Sequence, residues 1–237
     1  MRIALLSSQW SKDAVDQLRE HCDQIVRIEP SDSIDAALAG HPDIQLCPID
    51  DKTVVVHPNM ALKTIEELGH FGVTVRTGAT VLSKDYPGDI PYNVAVAARC
   101  FFHLEGQTDP VCREELERRG LRFVPVKQGY SKCSSLIIGE EHLVSADPTI
   151  CRKAREIGLH VLQIPPGDIQ LPGMKYGFIG GASGVLNKEK QVFFHGDWRA
   201  TSWGQLVEAF VQSIGYECVS LNSGPLVDVG GLFFLHT

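Results

Sequence analysis

One local pattern recurs along this chain and restricts what it can fold into: a helix with a single apolar face, a glycine, then a β-branched strand. It runs through "LKTIEELGHFGVTVR" (62–76), "CREELERRGLRFVPV" (112–126), "CRKAREIGLHVLQI" (151–164) and "LVEAFVQSIGYECVSL" (206–221). The segment "AVDQLREHCDQIVRI" (14–28) fits it with Cys22-Asp23 in the glycine's place. Val15, Leu18 and Cys22, Ile65 and Leu68, Ile150, Ala154 and Ile157, and Leu206, Phe210 and Ile214 return at helical spacing, so each helix has one face to bury. Gly72, Gly120, Gly158 and Gly215 stand where a left-handed C-cap releases the chain into a strand.

What precedes these helices also repeats. "VVVHP" (54–58), "FFHLEGQTDP" (101–110) and "HLVSADP" (142–148) end strands in a polar residue plus proline, with Asp109 and Asp147 as N-caps and Pro110 and Pro148 at the first helical position. In "VFFHGDWRATSWGQL" (192–206), Ser202 and Gln205 are spaced for a capping box. A further strand comes earlier in each case, in "IQLCPI", "NVAVAA", "SSLIIG" and "GFIGGASGVL", with "GEEH" (139–142) and "NKEK" (187–190) as hairpin turns. The unit is therefore strand, strand, helix, strand, four times in full. A fifth is split between the chain ends, "GLFFL" supplying its first strand and residues 2–28 the rest. The glycines fall at uneven intervals, which suits a closed ring with insertions in its loops better than a solenoid. The expected fold is an α/β five-bladed propeller of ββαβ units, a single domain over 1–237 closed by pairing of the first and last strands, with no exposed sheet edge. An open parallel sheet fits less well. "SSLII" and "HLVSA" are joined too tightly for a parallel crossover, and "LLSSQWSKD" lacks the glycine-rich phosphate loop.

A formal net charge of -7 without long runs of one sign argues against broad phosphate-backbone binding, so no nucleic-acid partner is expected. The seven cysteines contain no Cys-x-x-Cys pair and sit mostly in apolar runs, as reduced core residues of a cytoplasmic protein would. "MRIALLSSQWSKDAV" reads as a first strand and not a signal peptide, and no stretch approaches the ~20 apolar residues of a membrane span. No His, Cys or carboxylate pair has standard ligand spacing, so neither a metal nor another cofactor is expected. A homo-oligomer is compatible with all of this.

Five such units closed head to tail resemble the pentein, or guanidino-group-modifying, superfamily. "YPGDIPYNVAVAARCFFHLEGQTD" (86–109) is similar to its Gly-Asp stretch, "RFVPVKQGYSKCSSLIIGEEHLVSA" (122–146) to the stretch that carries its histidine, and "VDVGGLFFL" (227–235) to the strand that carries its nucleophilic cysteine. The chain looks like a separate branch of that superfamily, related to dimethylarginine dimethylaminohydrolase, arginine deiminase and the amidinotransferases. The resemblance implies attack of a thiolate on a guanidinium carbon, with a histidine managing protons and carboxylates clamping the cation. It implies that Asp89 holds the guanidinium, where the residue alone reads equally as a turn aspartate. It also shows two losses: the histidine position, counted from Gly129, holds Ser131 or Tyr130, and the cysteine position, counted from Gly230-Gly231, holds Phe233 or Phe234. Nucleophile and acid/base act as a unit, so each loss alone removes the usual route.

In such a ring the loops leading into the five first strands converge on one end of a central axis. These loops, near 43–51, 85–93, 129–135, 179–184 and 227–232, offer Asp43, Asp50, Asp51, Asp85, Asp89, Tyr92, Asn93, Tyr130, Ser131, Lys132, Cys133, Ser134, Ser183 and Asp228. Cys133, next to Lys132, is the candidate substitute nucleophile, although neighbours on an extended strand point apart and a small buried cysteine is the plainer reading. His195, with Asp197 to orient it, is a candidate base; capping or packing explains it as well. His41 with Asp43 shares that ambiguity. "IGGASG" (179–184) either brings N–H groups to an anion or marks crowding at the axis.

Three readings follow. The ring binds a small cationic guanidino or amidine ligand in an axial pocket without the usual Cys/His catalysis. It is a hydrolase or amidinotransferase acting on C–N bonds of such compounds through Cys133. Or it is a non-catalytic scaffold with a filled axis.

Overall fold

The computed structural model describes residues 1–237. In chain order the first unit contributes β1 (Arg2–Ser7), α1 (Lys12–Leu18) and β2 (Gln24–Ile28). The second holds the short helix α2 (Pro42–Gln45), then β3 (Leu46–Pro48), β4 (Thr53–Val56), α3 (Leu62–His70) and β5 (Thr74–Thr77). The third holds β6 (Ala95–Val96), β7 (Cys100–Leu104), α4 (Pro110–Arg118) and β8 (Arg122–Val126). The fourth holds β9 (Ser135–Ile138), β10 (His142–Ser145), α5 (Pro148–Glu156) and β11 (His160–Gln163). The fifth holds β12 (Ser183–Leu186), β13 (Gln191–Phe194), α6 (Gly204–Ser213) and β14 (Glu217–Ser220), after which β15 (Phe233–His236) returns to the first unit.

Each unit is a separate three-stranded sheet: its first two strands pair antiparallel, as a hairpin in four of the five units, and a helical crossover makes the third parallel to the second. The ring closes as the repeat requires. β15 runs antiparallel to β1 with Ile3 opposite Leu235 and Ala4 opposite Phe234. The result is a five-bladed pentein-type α/β propeller.

Local chemistry accounts for the joints. Gly72, Gly120, Gly158 and Gly215 have φ of +79°, +80°, +89° and +77°, the left-handed conformation that ends a helix cheaply only at glycine. Asp109 caps α4 by accepting from the N–H groups of Val111 and Cys112 at 2.9 and 3.1 Å, and Asp147 caps α5 through Thr149 and Ile150 at 2.8 and 2.9 Å. The expected capping box at α6 does not form. Trp203 is the N-cap residue and makes no side-chain cap bond, because Ser202 turns away to hydrogen-bond Asp168. A single 3-10 turn at Trp198–Ala200, capped by Asp197, takes up the extra residues.

Apolar clusters wedge between neighbouring units, so that α3 packs on β2 and α5 on β8 of the preceding unit. One such wedge joins Leu5, Val54, Leu68 and Leu235. The first strands face each other around the axis, β12 against both β9 and β15, and β6 against β9. The helices stay outside. None is long and apolar enough to cross a membrane.

Candidate functional site

The axis is divided into two compartments, and the partition is the turn at Ser131–Ser134 that leads into β9. Lys132 faces one compartment and Cys133 the other. The opposite-face argument for these neighbours assumes an extended strand. They lie in a turn instead, which separates them all the same.

The compartment at the leading-loop end is a buried polar nest. Cys133 is buried and its Sγ donates to Asp43 Oδ2 at 3.0 Å, with Asn93 Nδ2 3.0 Å from the sulfur. Asn93 holds the turn from the other side. Its Oδ1 accepts from the N–H groups of Lys132 and Cys133 at 2.8 and 3.2 Å, and its Nδ2 donates to the Asp43 carbonyl at 2.8 Å. Asp228 accepts from the N–H groups of Phe178 and Gly230 at 2.9 and 3.1 Å. His41 Nδ1 lies 3.7 Å from Asp228 Oδ1 and 4.0 Å from Asp43 Oδ1, and neither it nor Asp43 Oδ1 has a hydrogen-bond partner. Burial pushes the Cys133 thiol well up, and Asp43 and Asp228 add to it. Burial also raises the Asp228 carboxyl, with His41 opposing and Asp43 reinforcing the shift. The glycines of "IGGASG" fit the crowding reading: a Cβ at Gly180 would strike the carbonyls of Lys132 and Ser135, and one at Gly181 would strike the Asp228 carboxylate. Leu38 and Leu171 pack in one apolar cluster with Cys133, and their loops touch where Gly173 meets Ala37. This end of the axis is closed.

The opposite end is open. A cavity of about 250 Å³ runs between the first strands of all five units, with Val96, Ile137, Val185 and Phe233 among its walls. Lys132 stands in it, its Nζ donating to the Gly180 carbonyl at 2.8 Å and lying 5.0 Å from the centre of the Phe233 ring. Phe233 and Phe234, at the position where the resemblance puts a nucleophile, both line the cavity. Ser135 lines it too, and its buried hydroxyl has no partner. Asp50 and Asp51 also belong to its lining; Asp50 is held by Arg119 at 2.7 Å, and Asp51 has Lys188 at 3.8 Å and His236 at 3.9 Å.

Of the residues singled out in the sequence, Lys132 and Ser183 line the cavity, while Cys133, Asn93 and Asp228 lie in the nest. Ser131 is buried and spends its hydroxyl on the Gln128 carbonyl at 2.6 Å. Asp89 lines neither compartment's polar network. Its Oδ2 accepts from the Tyr130 hydroxyl, its Oδ1 is unpartnered, and burial raises its carboxyl. Tyr130 sits between Tyr86 and Phe178, at ring separations of 5.7 and 6.3 Å. His195 is not paired with Asp197: both imidazole nitrogens lack side-chain partners, the ring lies 4.7 Å from Trp10, and Asp197 is spent on its cap. Burial lowers the His195 imidazole. The pairing fails because Gly196 turns the chain between them. Ser135 was not singled out; its position two residues after Cys133, at the first residue of an inward-facing strand, is the signal that points to it.

A model of a family of unknown function, DUF6873, matches residues 5–233, and the chain belongs to that family. No curated protein matches it. Among solved structures, the N-terminal domain of ArgZ, an arginine dihydrolase from the ornithine-ammonia cycle in cyanobacteria, in its substrate-bound C264S form, is 11% identical with a TM-score of 0.55, covering 98% of this chain and 95% of that one. The ternary complex of AgrE with ornithine and NAD+ is 13% identical with a TM-score of 0.57, covering 98% of this chain and 38% of that one. SxtG, an amidinotransferase of the saxitoxin biosynthetic pathway from Microseira wollei, is 9% identical with a TM-score of 0.50, covering 92% and 87%. The chain thus spans little more than a third of full-length ArgZ and AgrE. At these identities the likeness is one of fold, that of the guanidino-modifying superfamily.

Proposed function

We propose that this member of the DUF6873 family is a small-molecule-binding ring that takes its ligand in the axial cavity and runs no thiolate chemistry there. The division of the axis carries the reading: the open cavity is lined by all five units, while the one axial thiol is sealed away from it. A thiol attacks as its anion, and burial beside two carboxylates holds Cys133 protonated. Phenylalanines replace the nucleophile where the superfamily resemblance places it. Residues 1–237 act as one binding domain on this reading. The chemistry in the names of ArgZ and SxtG speaks to shared ancestry, since fold alone does not carry activity. The open cavity stands against a filled scaffold.

The test is thermal unfolding of the full chain across a panel of small acids, amides and amidines. Stabilisation by a ligand is expected to survive Cys133→Ala and to disappear in Val96→Trp, which fills the cavity. Loss in the first variant with retention in the second overturns the proposal.

The contents of the nest favour a second reading, a hydrolase or amidinotransferase on guanidino or amidine compounds. Cys133, His41, Asp43, Asp228 and Asn93 gather from four units at one point of the axis. A guanidinium held between Asp43 and Asp228 would offset part of their negative charge and lower the thiol's pKa. The loops carrying Leu38 and Leu171 must part to admit it. This reading expects ammonia or amidine transfer from arginine and protection of Cys133 from alkylation by the same compound. A thiol that reacts only on global unfolding, with no turnover, removes it.

A further inference from the structure

The open cavity also has a chemical polarity, and this deepens the binding reading on which it rests. The Lys132 ammonium has three N–H donors. One reaches the Gly180 carbonyl and the Phe233 ring face takes a second, so a third is left for a ligand. No carboxylate pairs with this ammonium: Asp43 and Asp228 are engaged in the nest by Cys133 and backbone N–H groups, and Asp50 and Asp51 by Arg119, Lys188 and His236. Ser135 adds a buried hydroxyl with no partner. Ser183, the other hydroxyl of the lining, already donates to the Ile179 carbonyl at 2.6 Å. A buried, unpaired donor costs about 1–3 kcal/mol unless something accepts from it, so the Ser135 hydroxyl asks for an acceptor.

We infer that the axial cavity is a carboxylate site, in which Lys132 and Ser135 donate to the two oxygens of a small monocarboxylate whose apolar body lies along Val96, Ile137, Val185 and Phe233. Two free donors match one carboxylate; a phosphate dianion would find too few. At ~30 Å³ per water the cavity holds the equivalent of about eight waters, room for a ligand the size of a ring bearing one acid group.

The experiment uses three near-isosteres on the full chain by titration calorimetry at constant ionic strength: benzoate, benzamide and benzamidine. Benzoate is expected to bind about tenfold or more tighter than either of the others, as a charge-assisted pair in a partly dry site should. Lys132→Met is expected to abolish that preference, Lys132→Arg to keep most of it, and Ser135→Ala to weaken benzoate about fivefold. The ranking of the three probes on the unmodified chain needs no variant, so a Lys132→Met protein that fails to fold leaves the test standing. Equal binding of benzamide, tighter binding of benzamidine, or no binding of benzoate overturns the inference. The broader reading is separate: if the amide or amidine binds and Val96→Trp blocks it, the cavity is a ligand site of a different charge class.

Discussion

His57 and His103 are buried and in no ion pair, and burial pushes both imidazoles down to about 4. In the unfolded chain they take up protons near 6.5; in the fold they do not. Their contribution to stability is complete above that value and is lost as pH falls from 6.5 toward 4, at roughly 3 kcal/mol apiece. Asp89 and Asp228 run the other way. Burial raises both carboxyls, so their contribution is complete below the usual value of 3.8 and is lost as pH rises through their folded values. Urea midpoints measured across this range are expected to fall with acid, and His57→Phe to flatten the fall by about 3 kcal/mol, since neither of its ring nitrogens has a partner to lose. An unchanged slope in that variant contradicts the assignment. At this scale the sequence is a partial guide. It presents Lys132, Cys133, Asn93, Ser183 and Asp228 as residues of the axial end, because leading loops can be counted from the repeat. It cannot show that Lys132 and Cys133 part company, since that depends on a turn held by Asn93, forty residues away. Nor can it show that His195 and Asp197, two residues apart, face different neighbours.

The caps show what is legible at the level of elements. Asp-Pro before α4 and α5 and glycine after them are local signals with local causes, and the helices begin and end where those residues stand. Ser202 misleads because its hydroxyl finds Asp168 across the sequence, a partner no spacing rule contains. The helix α2 is too short for any periodicity, yet it sets Asp43 into the nest. The two principal caps are also unequal. Asp147 caps α5 and accepts from Gln128. Asp109 caps α4 and also accepts from the N–H groups of Ala79 and Thr80 and from the Tyr92 hydroxyl, tying the second unit to the third while fully buried. Asp147→Ala is expected to cost about 1 kcal/mol, as a cap does. Asp109→Ala, which also strands the N–H groups of Ala79 and Thr80, is expected to cost about 3 kcal/mol or more in chemical denaturation. Equal losses would show that the link between units adds nothing.

The ring as a whole was the most readable level. A repeat whose first strand is missing at one end and supplied at the other has one economical solution, and β15 beside β1 is that solution. Closure pairs the edge that β1 would otherwise present, while β2, β5, β8, β11 and β14 remain the outer strands of five separate sheets. Leu235 is the buried side chain of the closing strand, opposite Ile3. Leu235→Asp puts an unpaired charge in that seam and is expected to cost at least about 3 kcal/mol and to produce self-association on gel filtration as the edges open. A monomeric variant of unchanged stability would mean that the seam is not needed to hold the ring.

Asn93 grips the two successive amides of Lys132 and Cys133 with one oxygen, and this has a consequence for what the scaffold could become. A single peptide link lies between an open room furnished with an ammonium and a closed one furnished with a thiol. Removing one residue ahead of that link would move Cys133 into the place Lys132 now holds, handing a thiol to the chamber that solutes reach. In this ring, the interval between a receptor and a covalent catalyst is one step along the backbone.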